Sequence, residues 1–303
     1  MENQHKRSIS DDAGRLRELV KYIGDMPIEA IHIGSLQPFI EGRKKDGVSC
    51  RTINHGLKIV RRILNLAASE WMDEFGLTWL TSAPKIKLLP EPDLRKPYPL
   101  SWDEQHKLFD HLPDHLKNMA LFAVNTGCRD REICELRWDW LIQIPELPHI
   151  AVFIIPGELV KNGDERLVVC NETARSVIEG QRGKHPTHVF SFRGRPLSRI
   201  LSTGWRQARV KAGLPEVRVH DLKHTFGRRL RAAGVSFEDR QDLLGHRSGR
   251  ITTHYSSAEL QSLYLAANKV CENRKSGVIL TLLRNPKSRP ASQDTQGNQQ
   301  VTL

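Results

Sequence analysis

Residues 126–138 read Thr126-Gly127-Cys128-Arg129-Asp130-Arg131-Glu132-Ile133-Cys134-Glu135-Leu136-Arg137-Trp138. The periodicity predicts one helix over Asp114–Thr126 and another over Asp130–Leu136, with Gly127 closing the first. Arg129 then stands at a helix start beneath a tight turn, where a guanidinium is held rigidly. Glu132, one turn on, is given a supporting role in orienting that pocket. Taken alone, the segment also fits an ordinary surface arginine beside a helix cap.

On the C-terminal side the pattern changes. Ile150–Ile155 and Arg166–Val169 read as strands, with Leu159–Lys161 as an edge and Lys161-Asn162-Gly163-Asp164 as a hairpin-turn signal. Helices follow at Ser198–Ala212, Leu222–Ala233, Phe237–Leu244 and Ser257–Asn268. Upstream, a helix is predicted over Ser101–Leu112. The segment His220-Asp221-Leu222-Lys223-His224-Thr225-Phe226 puts His220 and Lys223 one helical turn apart on a common face, an arrangement suited to gripping a phosphate. His220 and His224 also have a metal-ligand spacing, but no third ligand falls at a matching distance, so no metal is expected. Gly245, in Leu243-Leu244-Gly245-His246-Arg247-Ser248, reads as a helix stop that turns His246 back. Thr252-Thr253-His254-Tyr255-Ser256 then leads into the last helix. By itself Lys161 fits a solvated charge, and Tyr255 a packing or surface residue.

The N-terminal stretch is read as all helical. Leu16, Leu19, Val20 and Ile23 recur at helical spacing after the capping signal Ser10-Asp11-Asp12. A second helix begins near Ser35 with Leu36, Phe39 and Ile40 inward. A third, from Arg51 to about Phe75, has an apolar side of Ile53, Leu57, Val60, Ile63, Leu64 and Ala67. Its opposite side carries Arg51, Lys58, Arg61 and Arg62, which fit either a phosphate-facing stripe or a solvated face. Ser82–Leu100 holds Pro84, Pro90, Pro92, Pro97 and Pro99 among basic residues and reads as an extended linker. The division expected is a helical unit over 1–92, a linker over 93–100, a mixed unit over 101–271 and a basic, polar, largely disordered tail over 272–303. The apolar run Val278–Leu283 in that tail needs a partner surface.

The chain has 303 residues, 39% hydrophobic and 27% charged, with a net charge of +11. That surplus favours polyanionic partners, nucleic acid foremost. No apolar window is long enough to span a bilayer, and residues 1–15 lack a signal-peptide core. Cys50, Cys128, Cys134, Cys170 and Cys271 are odd in number and without CxxC spacing, so they read as reduced thiols of a cytoplasmic protein. Motifs for nucleotide hydrolysis, dinucleotide binding, zinc proteolysis and serine hydrolysis are missing from the sequence.

Taken in order, TGCRDREICELRW, Lys161 on its hairpin, HDLKHTF, LLGHRS and THYS resemble the catalytic domain of the tyrosine recombinase, or phage integrase, family. The resemblance runs from Pro99 to about Val270. More loosely, the N-terminal piece resembles that family's helical core-binding domain. The fold implied is an all-α core-binding domain followed by a mainly α catalytic domain with a small antiparallel sheet. The activity implied is site-specific DNA recombination, integrating or excising a phage or other mobile element, with no cofactor.

A tyrosine hydroxyl titrates near pH ~10 and needs a proton acceptor to attack at neutral pH. Fixed cations stabilise the five-coordinate phosphoryl transition state. The resemblance therefore implies Tyr255 as nucleophile forming a 3′-phosphotyrosyl link, Arg129, His220, Lys223 and His246 around the phosphate, and Lys161 as general acid for the leaving 5′-oxygen. It also implies double-stranded recombination sites as partners, a homotetramer working through a Holliday junction, and accessory DNA-bending or directionality proteins. Lys223 departs from the pattern, which has arginine there; lysine keeps the charge and loses the bidentate fork. No room is expected for a further N-terminal arm-binding domain. Two other readings stay open: a tyrosine topoisomerase acting as a monomer, and a catalytically dead DNA-binding regulator.

Overall fold

The computed structural model describes residues 9–91, 95–246 and 256–271. Its chain divides between Lys96 and Pro97 into two compact units. In the first, three helices run over Ile9–Ile23 (α1), Gln37–Lys45 (α2) and Cys50–Ser69 (α3). The α3 stripe of Ile53, Leu57, Val60, Leu64 and Ala67 is buried together with Leu19, Leu36, Phe39 and Ile40. Arg51, Lys58, Arg61 and Arg62 are exposed on the other side of α3. Val20, expected on the apolar face of α1, is exposed.

α3 is shorter than its apolar pattern suggests. The Asp73 carboxylate accepts the Phe75 and Leu77 amides, and Gly76 takes a left-handed backbone. This side chain–backbone competition ends the helix and reverses the chain into a turn, bridged at Met72 and Thr78.

Most of the proline-bearing stretch is not a free linker. Ile86 is buried in the helical core and Leu88 and Leu89 pack on it. The buried Asn54 amide donates to the Leu89 carbonyl at 2.9 Å and accepts the Leu89 amide at 2.8 Å. One side chain on α3 thus satisfies both backbone groups of an extended segment that lacks a strand partner. Beyond the division, the Tyr98 amide donates to Asp221 and the Leu100 amide to Thr225 Oγ1, so these residues belong to the second unit.

That second unit contains eight further helices among the described residues. In chain order they are α4 (Trp102–Asp110), α5 (Asp114–Thr126), α6 (Asp130–Cys134), α7 (Glu172–Glu179), α8 (Thr203–Lys211), α9 (Val219–Ala232), α10 (Phe237–Leu244) and α11 (Ser257–Asn268). A three-stranded antiparallel sheet, β1 (Leu141–Ile142), β2 (Ala151–Ile155) and β3 (Arg166–Cys170), runs in the order β1-β2-β3. Val152 faces Val169 and Ile154 faces Leu167 across β2 and β3. Alternation along the strands sends Phe153, Ile155, Val168 and Cys170 into the core under α4, α5, α7 and α8. Val152, Leu167 and Val169 face α9, α10 and α11 instead. Both sides of the sheet are covered, which is why β3 is buried at every residue.

Leu159–Lys161 is not a strand edge. Turns close from Leu159 to Pro156 and from Val160 to Gly157, and a side chain at Gly157 would lie 2.2 Å from the Gly163 carbonyl. That close backbone approach folds residues 156–163 into a compact loop. α8 begins later than its pattern suggests, because the Ile200 amide is taken by Asp130. α9 begins earlier, at Val219, where Asp221 accepts the Arg218 amide. A short hairpin of Ser191–Phe192 (β4) and Arg195–Pro196 (β5) completes the unit.

Replacing Asn54 with leucine leaves the half-buried Leu89 amide and carbonyl without their Asn54 partner. The expected loss is roughly 2 kcal/mol or more of stability in the first unit, read as a lowered urea midpoint by fluorescence of Trp71 and Trp79.

Candidate active site

Two helices that end in left-handed glycines meet at one point of the second unit. α5 closes at Gly127 and α10 at Gly245. A Cβ on Gly127 would fall 2.7 Å from the Phe226 ring, and one on Gly245 would fall 2.5 Å from Arg166 Nε. Glycine is thus required at both positions for conformation and for space. Two residues after Gly127, Arg129 is the N-cap of α6, and the Glu132 side chain accepts its amide at 2.7 Å.

Glu132 is the anionic centre of the site. Its carboxylate, 1% exposed, also accepts Arg129 Nη1 at 2.7 Å and Arg166 Nη1. Burial pushes this carboxyl up, but Arg166 and the Arg129 amide and guanidinium outweigh it and hold it below the usual range. Glu132 is therefore ionised at neutral pH. Arg129, tethered from behind, keeps about a fifth of its side chain exposed.

His220 lies in the first turn of α9 and Lys223 one turn later. Lys223 is buried at 5% exposure and its Nζ donates to the Leu244 carbonyl, at the end of α10. Burial, then repulsion from Arg166 and Arg129, pulls its ammonium down to about 6 despite Glu132. His220 packs edge-on against His224, ring centroids 4.7 Å apart. Its pKa is lowered by desolvation, His224, Lys223 and Arg129. His246, just past Gly245, is exposed; desolvation, Lys223, Arg129, Arg166 and His224 lower it too. The fold thus holds Arg129, His220, Lys223, His224 and His246 close enough to repel one another, and burial and that repulsion leave the His220 and His246 imidazoles neutral at pH 7.

Lys161 is exposed on the loop between β2 and β3 and makes no hydrogen bond or ion pair with another described residue. Tyr255 lies outside the described residues, as does the run Val278–Leu283. Its neighbour Ser256 is the N-cap of α11, where Ser256 and Glu259 form a capping box. α11 is anchored by Leu263, Tyr264 and Ala267 in the core and by the bond from Asn171 Nδ2 to the Ala267 carbonyl. The described chain on either side of Tyr255 is therefore fixed in this unit. Among the described residues no group of three His, Cys, Asp or Glu side chains is disposed to hold a metal.

Arg166 and His224 were not among the residues singled out from the sequence. For Arg166 the signal was available: an arginine opening the strand Arg166-Leu167-Val168-Val169, whose other members are apolar. For His224 the sequence offers only a metal-ligand spacing to His220.

Unfolding exposes Lys223 and returns its pKa from about 6 to the ordinary 10.5. Between those values the unfolded chain holds a proton that the folded chain lacks, so stability rises with pH. The expected contribution is a slope of up to about 1.4 kcal/mol per pH unit. Urea midpoints between pH 6.5 and 8.5 measure it, and Lys223→Met removes it.

The family model described as the phage integrase family matches residues 100–261, just over half of the chain. The integrase of Salmonella phage P22 is 25% identical over 318 residues, covering 90% of this chain and 76% of that protein. In fold, the chain resembles lambda integrase as a dimer bound to a COC′ core site, with TM-score 0.62 and 17% identity over 83% of this chain and 91% of the other. It likewise resembles lambda integrase as a tetramer bound to a Holliday junction, with TM-score 0.58 and 16% identity over 89% and 74%.

Proposed function

The chain belongs to the phage integrase family, and we propose that it is a site-specific DNA recombinase that cleaves and rejoins DNA through Tyr255. The observation that carries this reading is the cluster of Arg129, His220, Lys223 and His246, all within the region that the family model matches. A phosphodiester gains negative charge as a fifth ligand enters, and pre-oriented cations stabilise that state without reorganising. Arg129, backed by Glu132, supplies a permanent charge. Lys223, largely unprotonated when the site is empty, takes up a proton as a phosphate arrives beside it.

In the cleavage step the Tyr255 hydroxyl oxygen bonds to phosphorus and the bond from phosphorus to the 5′-oxygen breaks. The tyrosine proton passes to a neutral imidazole, His220 or His246, and the 5′-oxygen takes a proton from Lys161. The 3′-phosphotyrosyl bond conserves the energy of the phosphodiester, so a 5′-hydroxyl from a partner duplex reverses the step and seals the new strand. Two such exchanges pass through a Holliday junction, and four protomers on two DNA sites supply the four tyrosines. Arg51, Lys58, Arg61 and Arg62 on α3 contact the DNA backbone and add a salt-dependent affinity. Integration or excision of a mobile element in the cytoplasm, with accessory DNA-bending or directionality proteins, is the biological setting proposed.

One observation favours a second reading, a DNA-binding regulator without catalysis: Lys223 is turned to the Leu244 carbonyl and lacks the fork that arginine would offer. Both readings are tested with duplexes recovered by binding selection from a random pool and nicked at successive positions to trap cleavage. In EDTA, the parent chain is expected to form a covalent adduct on a denaturing gel and Tyr255→Phe to form none while binding equally. Binding by both without an adduct, unrescued by Lys223→Arg, would favour the regulator.

A further inference from the structure

Arg166 is the largest charged side chain fully buried among the described residues, at 2% exposure. It leaves β3 on the face of Val168 and Cys170 and ends between three elements. Nη1 donates to Glu132 on α6. Nη2 donates to the Thr126 and Gly127 carbonyls at the end of α5, at 3.3 and 3.1 Å, and to the Leu243 carbonyl at the end of α10, at 3.3 Å. These are the carbonyls that a helix end leaves without intrahelical partners, and a cation there also opposes the negative pole of each helix. The packing around it is specific, since any side chain at Gly245 would strike its Nε.

The partners of this guanidinium lie within one helical turn in sequence of residues assigned to the reaction. Glu132 holds Arg129 through both its amide and its guanidinium. Gly127 turns the chain toward Arg129. Leu243 precedes the turn from which His246 emerges, with the His246 amide bonded to the Gln241 carbonyl. The neighbouring Leu244 carbonyl is held by Lys223. When Lys223 turns to a phosphate, the end of α10 stays fixed only if another donor holds it, and Arg166 is that donor.

Resting on the recombinase reading above, we propose that Arg166 is a positioning residue for strand cleavage. Through Glu132 it orients Arg129, and through the Leu243 carbonyl it holds the end of α10 that presents His246. It does not touch the DNA; it fixes the groups that do. A displacement of an ångström in such groups lowers a rate by ~10²-fold while leaving binding nearly intact.

The test uses the full chain and the nicked selected duplex, comparing the parent with Arg166→Lys, Glu132→Gln and the double variant. Adduct formation is followed in single turnovers at saturating protein, beside duplex affinity and thermal melting. Arg166→Lys keeps the charge and loses the fork. The expected result is a folded protein with duplex affinity within ~2-fold of the parent and a saturated cleavage rate ~10–100-fold lower. Glu132→Gln is expected to lose a similar factor, and the double variant much less than the product of the two, since both act on Arg129. A folded Arg166→Lys protein that cleaves at the parent rate would overturn the proposal. So would a loss recovered entirely by more protein, or losses that multiply. If Arg166→Lys does not fold, Glu132→Gln decides alone, and cleavage at the parent rate by that variant counts against the proposal. Failure of the parent to form any adduct sinks the recombinase reading and this proposal together, whereas adduct formation at the parent rate by every variant sinks only the proposal.

Discussion

A guanidinium taken out of water is costly unless a counter-charge and hydrogen-bond acceptors meet it. In the second unit that demand falls on Arg166, and meeting it dictates much of the surrounding architecture. One carboxylate, Glu132, supplies the counter-charge to Nη1, and three helix-terminal carbonyls accept from Nη2, while Nε packs against Gly245 without a hydrogen-bond partner among the described residues. Two helices must end at this point, each in a left-handed glycine, for those carbonyls to be free and close enough. The restart of the chain at α6 is set by the same carboxylate, because Glu132 also caps the helix it belongs to. A single buried ion pair thereby links the sheet, the turn at Gly127 and the turn at Gly245.

The outer layer follows from the inner one. Arg129 faces solvent because its other side is held by Glu132, and burial of Lys223, followed by repulsion from Arg166 and Arg129, brings its pKa down to about 6. A site of this kind is short of anions. Before DNA arrives, the repulsion is relieved by keeping Lys223 and the imidazoles of His220 and His246 largely uncharged. A phosphodiester supplies the missing negative charge, and the groups that had given up protons are then favoured to regain them. The same neutral imidazoles are suited to accept the proton of an attacking tyrosine. The electrostatics that make the empty site tolerable thus also suit it to the reaction.

The architecture was legible because it is written in local signals. Apolar periodicity marked most of the helices, turn glycines marked the ends of α5 and α10, and the ordered motifs around Arg129, His220, His246 and Tyr255 carried the family. What was not legible depends on long-range pairing. Asn54 reaches Leu89 across 35 residues, and this pairing turns an apparent linker into part of a core. The Asp73 turn outcompetes a helix whose pattern would have continued. The loop carrying Lys161 is shaped by the approach of Gly157 to Gly163, which no periodicity encodes. Arg166 was passed over for a similar reason, since a charged residue opening a strand looks like an edge until two helix ends and a carboxylate are seen to close over it.

In the recombinase reading Tyr255 becomes covalently joined to DNA. The most direct test is to digest the trapped protein–DNA adduct with nuclease and trypsin and to sequence the nucleotide-bearing peptide by fragmentation mass spectrometry. The peptide Ile251–Lys269 contains both Tyr255 and Tyr264, and Tyr264 is packed in the core at 7% exposure. A nucleotide on Tyr255 is the outcome expected. A nucleotide on Tyr264, on a serine or on any other residue, with Tyr255 unmodified, would contradict the account.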